Sequence, residues 1–251
     1  MRSNQYIIFF VVSMTAIVAL VLSLMATGLK GIHDKNEAIF NKKAILAAIE
    51  TELGEGVNAQ KLSDDEVLSI FDNSIQQYVI DKEGNLIGTE EVEARGHKGG
   101  AAENVDMAKE KKKNPEDRIF PLFIYNTEGG DIIYIVSVRG TGLWDEIWGN
   151  IAIRDDFETV VGASFDHKGE TPGLGAEIKD NPAFSKQFEG KKLYDQNGNF
   201  TSVVVRKGGA RNMRYEVDGI SGATVTCDGV TDMLIEGIRY YQPYFNSVKK
   251  S

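Results

Sequence analysis

A run of small residues followed by hydroxyl side chains is the part of this sequence best suited to chemistry. Ser221, Gly222 and Ala223 precede Thr224, and a helix is predicted to begin within the next few residues. Amide N–H groups at the N-terminus of a helix favour a phosphate, because the first of them lack partners within the helix. The Thr224 hydroxyl is therefore a candidate for carrying or touching a phosphoryl group, and Thr226 is a second hydroxyl two residues later.

Two further segments are rich in glycine and apolar residues. Residues 167–178 contain a Pro-Gly turn flanked by glycines, which lets the backbone approach a flat ligand closely. Residues 140–144 end in Leu143 and Trp144, whose side chains can pack against an aromatic ring system. Taken by themselves, the three segments also fit an interpretation as glycine-rich turns with buried apolar anchors.

Several other chemistries find no support in the sequence. Residues 140–142 read Gly-Thr-Gly but lack the third glycine and the acidic residue of a dinucleotide turn, and there is no P-loop. The histidines His33, His97 and His167 share no metal-ligand spacing with one another or with Cys227. That single cysteine excludes an intramolecular disulfide and any cluster held by cysteines alone. A Ser–His–acid nucleophile stays open, although no serine lies in a Gly-x-Ser-x-Gly turn.

The composition is that of an acidic globular protein. The 251 residues include 28 Lys+Arg and 37 Asp+Glu, for a net charge of −9, and 42% are hydrophobic. This proportion is too high for a chain that is disordered throughout. The acidity argues against nonspecific binding of nucleic acid, which requires a basic face.

The apolar residues are concentrated near the N-terminus. Residues 6–27 are nearly all apolar, and 22 residues of helix extend about 33 Å, enough to cross the hydrocarbon core of a bilayer. A cleaved signal peptide is the competing interpretation, but its apolar region is shorter and it needs small residues where Leu24 stands. We therefore predict one retained membrane span, with lipid as a partner and no charged residue inside it.

The charges that flank this span do not fix its orientation. Lys30, Lys35, Lys42 and Lys43 follow it, and their number alone would place the polar body in the cytoplasm. The positive-inside rule weakens for long translocated domains, and this body exceeds 200 residues.

The elements of the body follow from periodicity and turn residues. Helical spacing predicts a helix over residues 34–52, Ser63 and Glu66 predict a capping box, and residues 78–87 predict a hairpin. Residues 90–118, with the lysine-rich run 109–113, are predicted to be a solvated excursion. Further strands are predicted at 119–125, 132–138, 149–154, 159–165 and 202–205, and helices at 182–188 and 228–241. Strands and helices without regular alternation indicate an α+β body.

The three chemical segments also carry a family resemblance. The Ser-Gly-Ala-Thr run ending at Thr224, with Asp218 upstream, resembles the flavinylation motif of FMN-binding subunits of respiratory pumps. Residues 170–178 (ETPGLGAEI) and the Gly-x-Gly-Leu-Trp run match as well, as does a single N-terminal span. The whole chain resembles the C-subunit family of Na⁺-translocating NADH:quinone reductases. The related alternative is the G subunit of the Rnf ferredoxin:NAD⁺ oxidoreductase complex, which shares both motifs but is expected to have a smaller body.

The resemblance implies roles for individual residues. A flavin transferase would join the FMN phosphate covalently to Thr224, with Thr226 as the rival acceptor. Asp218 would serve recognition by the transferase or simply cap the turn, and Leu143 and Trp144 would pack on the isoalloxazine ring. The cofactor-binding residues implied in this way are Leu143, Trp144, Glu170, Thr171, Gly173, Leu174, Gly175, Asp218, Ser221, Gly222, Ala223 and Thr224.

The resemblance also implies an architecture and a function. We expect a transmembrane anchor (1–33), a helical and irregular N-terminal part of the body (34–118) and an FMN-binding domain (119–251). The chain would relay electrons through FMN, alongside the other subunits of a Na⁺ pump, on the periplasmic side of a bacterial inner membrane. A membrane-anchored binding module without redox work and a self-sufficient flavin reductase remain as alternatives.

Overall fold

The computed structural model describes residues 4–54, 56–127 and 129–250. The chain divides into two units, Met1–Phe40 and Asn41–Ser251. Residues 1–3 and 251, at the ends of the predicted domain ranges, lie outside the described residues.

The first unit is built on one long apolar helix. Helix α1 spans Asn4–Ala47, and its 44 residues extend about 66 Å at the usual rise. Among the described residues it is the one helix long and apolar enough to cross a membrane, with a mean hydropathy of 2.8 over its best window. The Thr15 and Thr27 hydroxyls donate to carbonyl oxygens of the preceding turn, so these polar groups are satisfied within the helix. The predicted helix over 34–52 is part of α1 as far as Ala47, and a separate short 3-10 helix follows at Glu50–Glu52.

The second unit contains a six-stranded antiparallel sheet. Its strand order is β2-β1-β3-β4-β5-β6. The strands are β1 (Ile75–Asp81), β2 (Leu86–Ile87), β3 (Ile119–Asn126), β4 (Ile132–Thr141), β5 (Glu146–Arg154) and β6 (Val160–His167). The predicted hairpin and these strand assignments are confirmed. The sheet draws strands from both sides of residue 118, where the sequence suggests a domain boundary; that boundary stays a prediction.

Seven shorter α-helices of the described residues accompany the sheet. They are α2 (Asp64–Ser74), α3 (Thr89–Ala94), α4 (Met107–Lys112), α5 (Glu177–Asp180), α6 (Pro182–Lys186), α7 (Thr224–Arg239) and α8 (Gln242–Val248). The capping box that opens α2 is confirmed, because the Ser63 hydroxyl accepts from the Glu66 N–H and the Glu66 carboxylate accepts from the Ser63 N–H. A long apolar helix followed by a mixed helix and sheet unit confirms the predicted fold class.

Helix α7 lies against β4 at very close range. A Cβ built at Gly140 would lie 2.6 Å from the Met233 Cβ, and one built at Gly237 would lie 2.6 Å from the Val138 Cγ1. Only glycine permits such an approach, so the helix is held in one position on the strand. At the end of α7 the buried Tyr241 hydroxyl lies 2.9 Å from the carbonyl oxygen of Ser137 in β4.

Four elements near the C-terminal end of the sequence, α7, α8, β7 and β8, differ from the sequence-based expectations. Helix α7 begins at Thr224, four residues before the predicted start at 228, while α8 (Gln242–Val248) was not predicted. The predicted strand over 202–205 is the short β7 (Val204–Arg206), which pairs in parallel with an unpredicted β8 (Glu216–Asp218).

The prediction of a solvated excursion over 90–118 is wrong in part. The loop after α3 and helix α4 carry a buried pair in which the Glu110 carboxylate lies 2.6 Å from His97 Nε2. Glu110 also accepts from the Ile119 N–H at 3.0 Å and pairs with Lys113. His97 Nδ1 accepts from the Asp106 N–H, so the proton that bonds Glu110 is on Nε2. Composition suggests exposure here, but pairing across 13 residues makes burial of these polar groups possible.

Candidate functional site

A buried carboxylate joins the three chemical segments. Glu170 is 5% exposed and lies immediately before the Pro-Gly turn. Its Oε1 accepts a hydrogen bond from the Trp144 N–H at 2.9 Å, and its Oε2 accepts one from the Thr226 hydroxyl at 2.6 Å. Residues far apart in the sequence therefore meet at one side chain, as the grouping of the three segments suggests.

Two glycines leave no room beside this carboxylate. A Cβ built at Gly142 would lie 2.5 Å from Glu170 Oε1, and one built at Gly175 would lie 2.3 Å from Glu170 Oε2. A third glycine, Gly229 in α7, lies so close to the 140–144 segment that its Cβ would be 2.3 Å from the Thr141 carbonyl oxygen. The glycine content of these segments thus reflects close packing as well as turn geometry.

The two candidate hydroxyls have different surroundings. Thr224 is the first residue of α7, is half-buried, and lines a cleft of about 470 Å³. Thr226 is buried at 1% exposure and is committed to Glu170. Gly222, just before the helix, has a φ of +80°, a conformation that favours glycine. Ala223 caps the helix without a side-chain hydrogen bond, so the first turn of α7 relies on other partners for its amide groups.

The cleft brings several predicted residues together with others that the sequence analysis missed. Its predicted lining residues are Asp218, Ser221, Gly222 and Thr224. The cleft is also lined by residues outside the predicted site, namely Lys207, Gly208, Gly209, Gly219, Ile220 and Cys227. Gly208 and Gly209 have φ values of +78° and +101°. A lysine followed by two glycines is a signal that could have indicated an anion-binding turn. Of the other predicted residues, Glu170 is bonded to Thr226 on the first turn of α7, and Leu174 Cδ2 would lie 2.8 Å from a Cβ built at Gly222.

Asp218 and Glu216 hold the turn that carries Lys207. The Asp218 Oδ1 accepts from the Ala210 N–H at 2.7 Å and so holds the turn that follows Lys207. Glu216 accepts from the Asn212 and Arg211 N–H groups and from the Arg206 side chain. Burial by itself raises the pKa of Glu216, but these hydrogen bonds outweigh it and lower the pKa from 4.5 to about 2. The carboxylate is therefore charged throughout the physiological range.

Four apolar side chains beside these segments are exposed. The exposed fractions are 51% for Leu143, 69% for Trp144, 40% for Leu174 and 52% for Val225. The Trp144 indole N–H donates to the Thr171 hydroxyl at 3.1 Å, which ties it to the Pro-Gly turn. The interpretation of these segments as turns with buried apolar anchors is therefore wrong for Leu143, Trp144 and Leu174. Val225 was missed, because an apolar residue next to Thr224 is not distinctive by itself.

The remaining predicted residues occupy supporting positions. Gly173, with a φ of +73°, makes the turn between Thr171 and Leu174, and Ala223 is buried at the start of α7. Cys227 is buried and its Sγ accepts from the Ile220 N–H at 3.3 Å. Burial raises the pKa of the Cys227 thiol, so it stays protonated. Among the residues that the structure describes, no group of three His, Cys, Asp or Glu side chains is placed to hold a metal ion.

Comparison with known proteins shows that the region containing this site matches a known domain family. Residues 142–239 match the FMN-binding domain family. The chain is 31% identical over 229 residues to the Na(+)-translocating NADH-quinone reductase C subunit of Vibrio anguillarum, an alignment that covers 89% of this chain and 86% of that protein. It is 31% identical over 244 residues to the corresponding C subunit of Pseudomonas aeruginosa, with 88% of each chain covered.

Solved structures agree with these relatives. The crystal structure of the Na(+)-translocating NADH-quinone reductase C subunit from Parabacteroides distasonis has a TM-score of 0.70 at 32% identity, over 86% of this chain and 96% of that chain. The structure of Shewanella oneidensis NqrC has a TM-score of 0.65 at 27% identity, over 86% and 98%. Similarity of this extent, in sequence and in structure, places the chain in the family of Na(+)-translocating NADH-quinone reductase C subunits.

Proposed function

We propose that this chain is the electron-carrying subunit of a membrane-bound Na⁺-translocating NADH:ubiquinone reductase complex, with FMN joined through a phosphoester to Thr224. The observation that carries this proposal is the contrast between two threonines on the first turn of α7. Thr224 lines the cleft, while Thr226 is buried and bonded to Glu170. FMN supplies the reversible redox chemistry when it is bound.

The residues around Thr224 fit a phosphate group. Helix α7 has 16 residues, so its N-terminus carries a substantial partial positive charge toward the cleft. Lys207 adds a full positive charge to the lining. The glycines at 208, 209 and 222 leave main-chain amides uncovered by side chains, which is the usual arrangement of an anion-binding turn.

The exposed apolar side chains fit the ring system. Leu143, Trp144, Leu174 and Val225 are large apolar groups left in contact with water, although other parts of the unit are well packed. An aromatic ring of flavin size stacked on an indole would remove this surface from water. The hydroxyls and main-chain groups near Thr171 would bond its polar edge.

Attachment to Thr224 is a phosphoryl transfer without redox change. We propose that a flavin transferase presents FMN as a phosphoanhydride, such as a flavin dinucleotide. The Thr224 Oγ forms a bond to the FMN phosphorus, the anhydride P–O bond breaks, and the leaving phosphate takes the electron pair. The hydroxyl proton passes to a base of the transferase or to solvent. The product is a phosphodiester with one negative charge, which the N-terminus of α7 stabilises.

The other parts of the proposed complex lie outside this chain. Residues 6–27 of α1 contain no ionisable side chain of the kind that usually marks an ion path, apart from the Tyr6 phenol at its start, so Na⁺ would cross the membrane through partner subunits. The NADH and quinone sites would also belong to partners. We propose that α1 anchors the chain in lipid of the bacterial inner membrane, with the body on the periplasmic side. The alternative of an Rnf G subunit receives less support, since the whole-length relatives are C subunits of the Na(+)-translocating reductase.

Denaturing electrophoresis tests the covalent attachment. The wild-type chain and the Thr224→Val and Thr226→Val variants are each produced in cells that contain the flavin transferase. We expect a flavin-fluorescent band for the wild type and for Thr226→Val, and none for Thr224→Val. A fluorescent band for Thr224→Val would contradict attachment at Thr224. Rapid NADH oxidation by the purified chain alone would favour a self-sufficient reductase over a relay.

A further inference from the structure

Glu170 is a buried carboxylate whose two oxygens are both engaged by donors of the protein itself. Its Oε1 accepts from the Trp144 N–H and its Oε2 from the Thr226 hydroxyl, while its own N–H donates to His167 Nδ1 at 3.2 Å. A buried charge of this kind is stable only when its hydrogen bonds are well formed. Its partners are therefore held as firmly as the carboxylate itself.

We infer that Glu170 is a positioning residue that fixes the ring-bearing segment (140–144) to the acceptor turn of α7, and so presents Thr224 to the flavin transferase. This inference rests on the proposed attachment of FMN to Thr224. It assigns the carboxylate no direct part in the phosphoryl transfer.

The packing around the carboxylate prevents it from shifting. The Cα atoms of Gly142 and Gly175 lie so close that an added Cβ would be 2.5 Å and 2.3 Å from its two oxygens. Trp144, besides its bond to Glu170, is tied through its indole N–H to Thr171. The two hydrogen bonds that Glu170 accepts therefore set the position of Trp144 as well as that of Thr226.

Helical geometry connects the position of Thr226 with that of Thr224. Residues two apart in an α-helix differ by roughly 200° around the axis. When Thr226 points toward Glu170, Thr224 therefore points to the opposite side of the helix, which is the cleft side in this structure. Loss of the hydrogen bond between Thr226 and Glu170 would let the first turn of α7 rotate or fray, since no side chain caps it.

The rate of flavin attachment tests this role. Purified full-length chain in detergent is mixed with flavin transferase and a flavin dinucleotide, and FMN on Thr224 is followed by mass spectrometry. We expect Glu170→Ala to be about tenfold slower than wild type, because two hydrogen bonds to a charged group are lost. Glu170→Gln is expected within about threefold of wild type, since its carbonyl can accept from Trp144 while its amide donates to Thr226.

Two results would overturn the inference. One is a Glu170→Ala rate equal to wild type, and the other is a Glu170→Gln rate as low as that of Glu170→Ala, which would indicate a need for charge. The fluorescence of the attached flavin is a second readout. We expect it to rise in Glu170→Ala, because Trp144 is no longer held against the ring. Unchanged fluorescence would contradict the positioning of Trp144.

Matched variants separate positioning from general stability. Glu110→Gln alters a buried carboxylate outside the site, so it should lower the melting temperature without changing the attachment rate. If Glu170→Ala does not fold, Thr226→Val is tested instead. Severalfold slower attachment that Thr226→Ser restores would support the positioning role of Glu170, and a wild-type rate would refute it. A wild-type chain that receives no FMN would refute the proposed function instead, whatever the Glu170 variants do.

Discussion

The hydroxyl of Thr226 donates a 2.6 Å hydrogen bond to the carboxylate of Glu170, 56 residues earlier in the chain. This bond gives two nearby threonines opposite properties, since Thr226 is buried and committed while Thr224 lines the cleft. It also connects the start of α7 with the segment that carries Trp144. The proposed covalent site and the proposed ring site are thereby parts of one hydrogen-bonded arrangement.

Replacement of Gly229 should disturb this arrangement from the side of α7. In Gly229→Ala the new Cβ would meet the Thr141 carbonyl oxygen at 2.3 Å, and main-chain atoms cannot move aside cheaply. We expect a net loss of about 1–3 kcal/mol in stability, although alanine is the better helix former. Thermal denaturation of the full-length chain measures it. Gly169→Ala, whose Cβ would have an ordinary 3.7 Å contact, is the control and should be nearly neutral.

Replacement of Trp144 should alter the surroundings of the flavin ring with little effect on the stability of the chain. Because its side chain is 69% exposed, Trp144→Ala should change the melting temperature little. We expect the attached flavin to become more fluorescent, since an indole stacked on it is a quencher that the variant lacks. Steady-state fluorescence of the purified flavinylated chain checks this. A flavin as dim as in the wild type would place the ring away from Trp144.

Much of the sheet could be predicted because its information is local. Strands β3 and β4 are rich in β-branched and aromatic residues, and the capping box at Ser63 needs only Glu66 three residues later. The start of α7 could not be read in the same way. Thr224, Val225 and Thr226 are weak helix formers, and the helix begins there because Thr226 bonds Glu170 and Gly229 packs on Thr141.

The same distinction applies to the candidate site. The sequence singles out Trp144, Glu170 and Thr226, but not the hydrogen bonds that join them at one carboxylate. Lys207 was missed because its turn is held beside the cleft by hydrogen bonds to Glu216 and Asp218. These residues lie further along the sequence, so the local pattern around Lys207 does not reveal the contact. The burial of His97 and Glu110 was missed for a similar reason, since only their contact removes the cost of burying them.

Stability should fall in acid because of Glu216. Its pKa is lowered from 4.5 to about 2 in the folded chain, so its contribution is fully present above 4.5 and is lost as the pH falls toward 2. We expect Glu216→Gln to be less stable than wild type at neutral pH and to approach it as the pH falls through that window. Melting temperatures from pH 7 to pH 2 measure the difference. A difference that stays constant with pH would contradict the role given to this carboxylate.

The buried pair in the 90–118 segment should be costly to break. Glu110→Ala leaves His97 without its partner and the Ile119 N–H unsatisfied, and it removes the partner of Lys113. We expect a loss of about 3 kcal/mol, as is usual when one member of a buried ionic network is removed. Lys112→Ala, at a neighbouring position in the same helix, is the control. A Glu110→Ala chain as stable as this control would show that the segment is loosely held after all.

The intact mass of the purified full-length chain tests the central claim most directly. Produced together with a flavin transferase, the wild-type chain should gain the mass of one FMN less one water, and peptide mapping should place this mass on Thr224. The Thr226→Val chain should gain the same mass, and the Thr224→Val chain should gain none. A wild-type chain of unmodified mass, or a modified Thr226, would contradict the assignment of Thr224 as the point of covalent attachment.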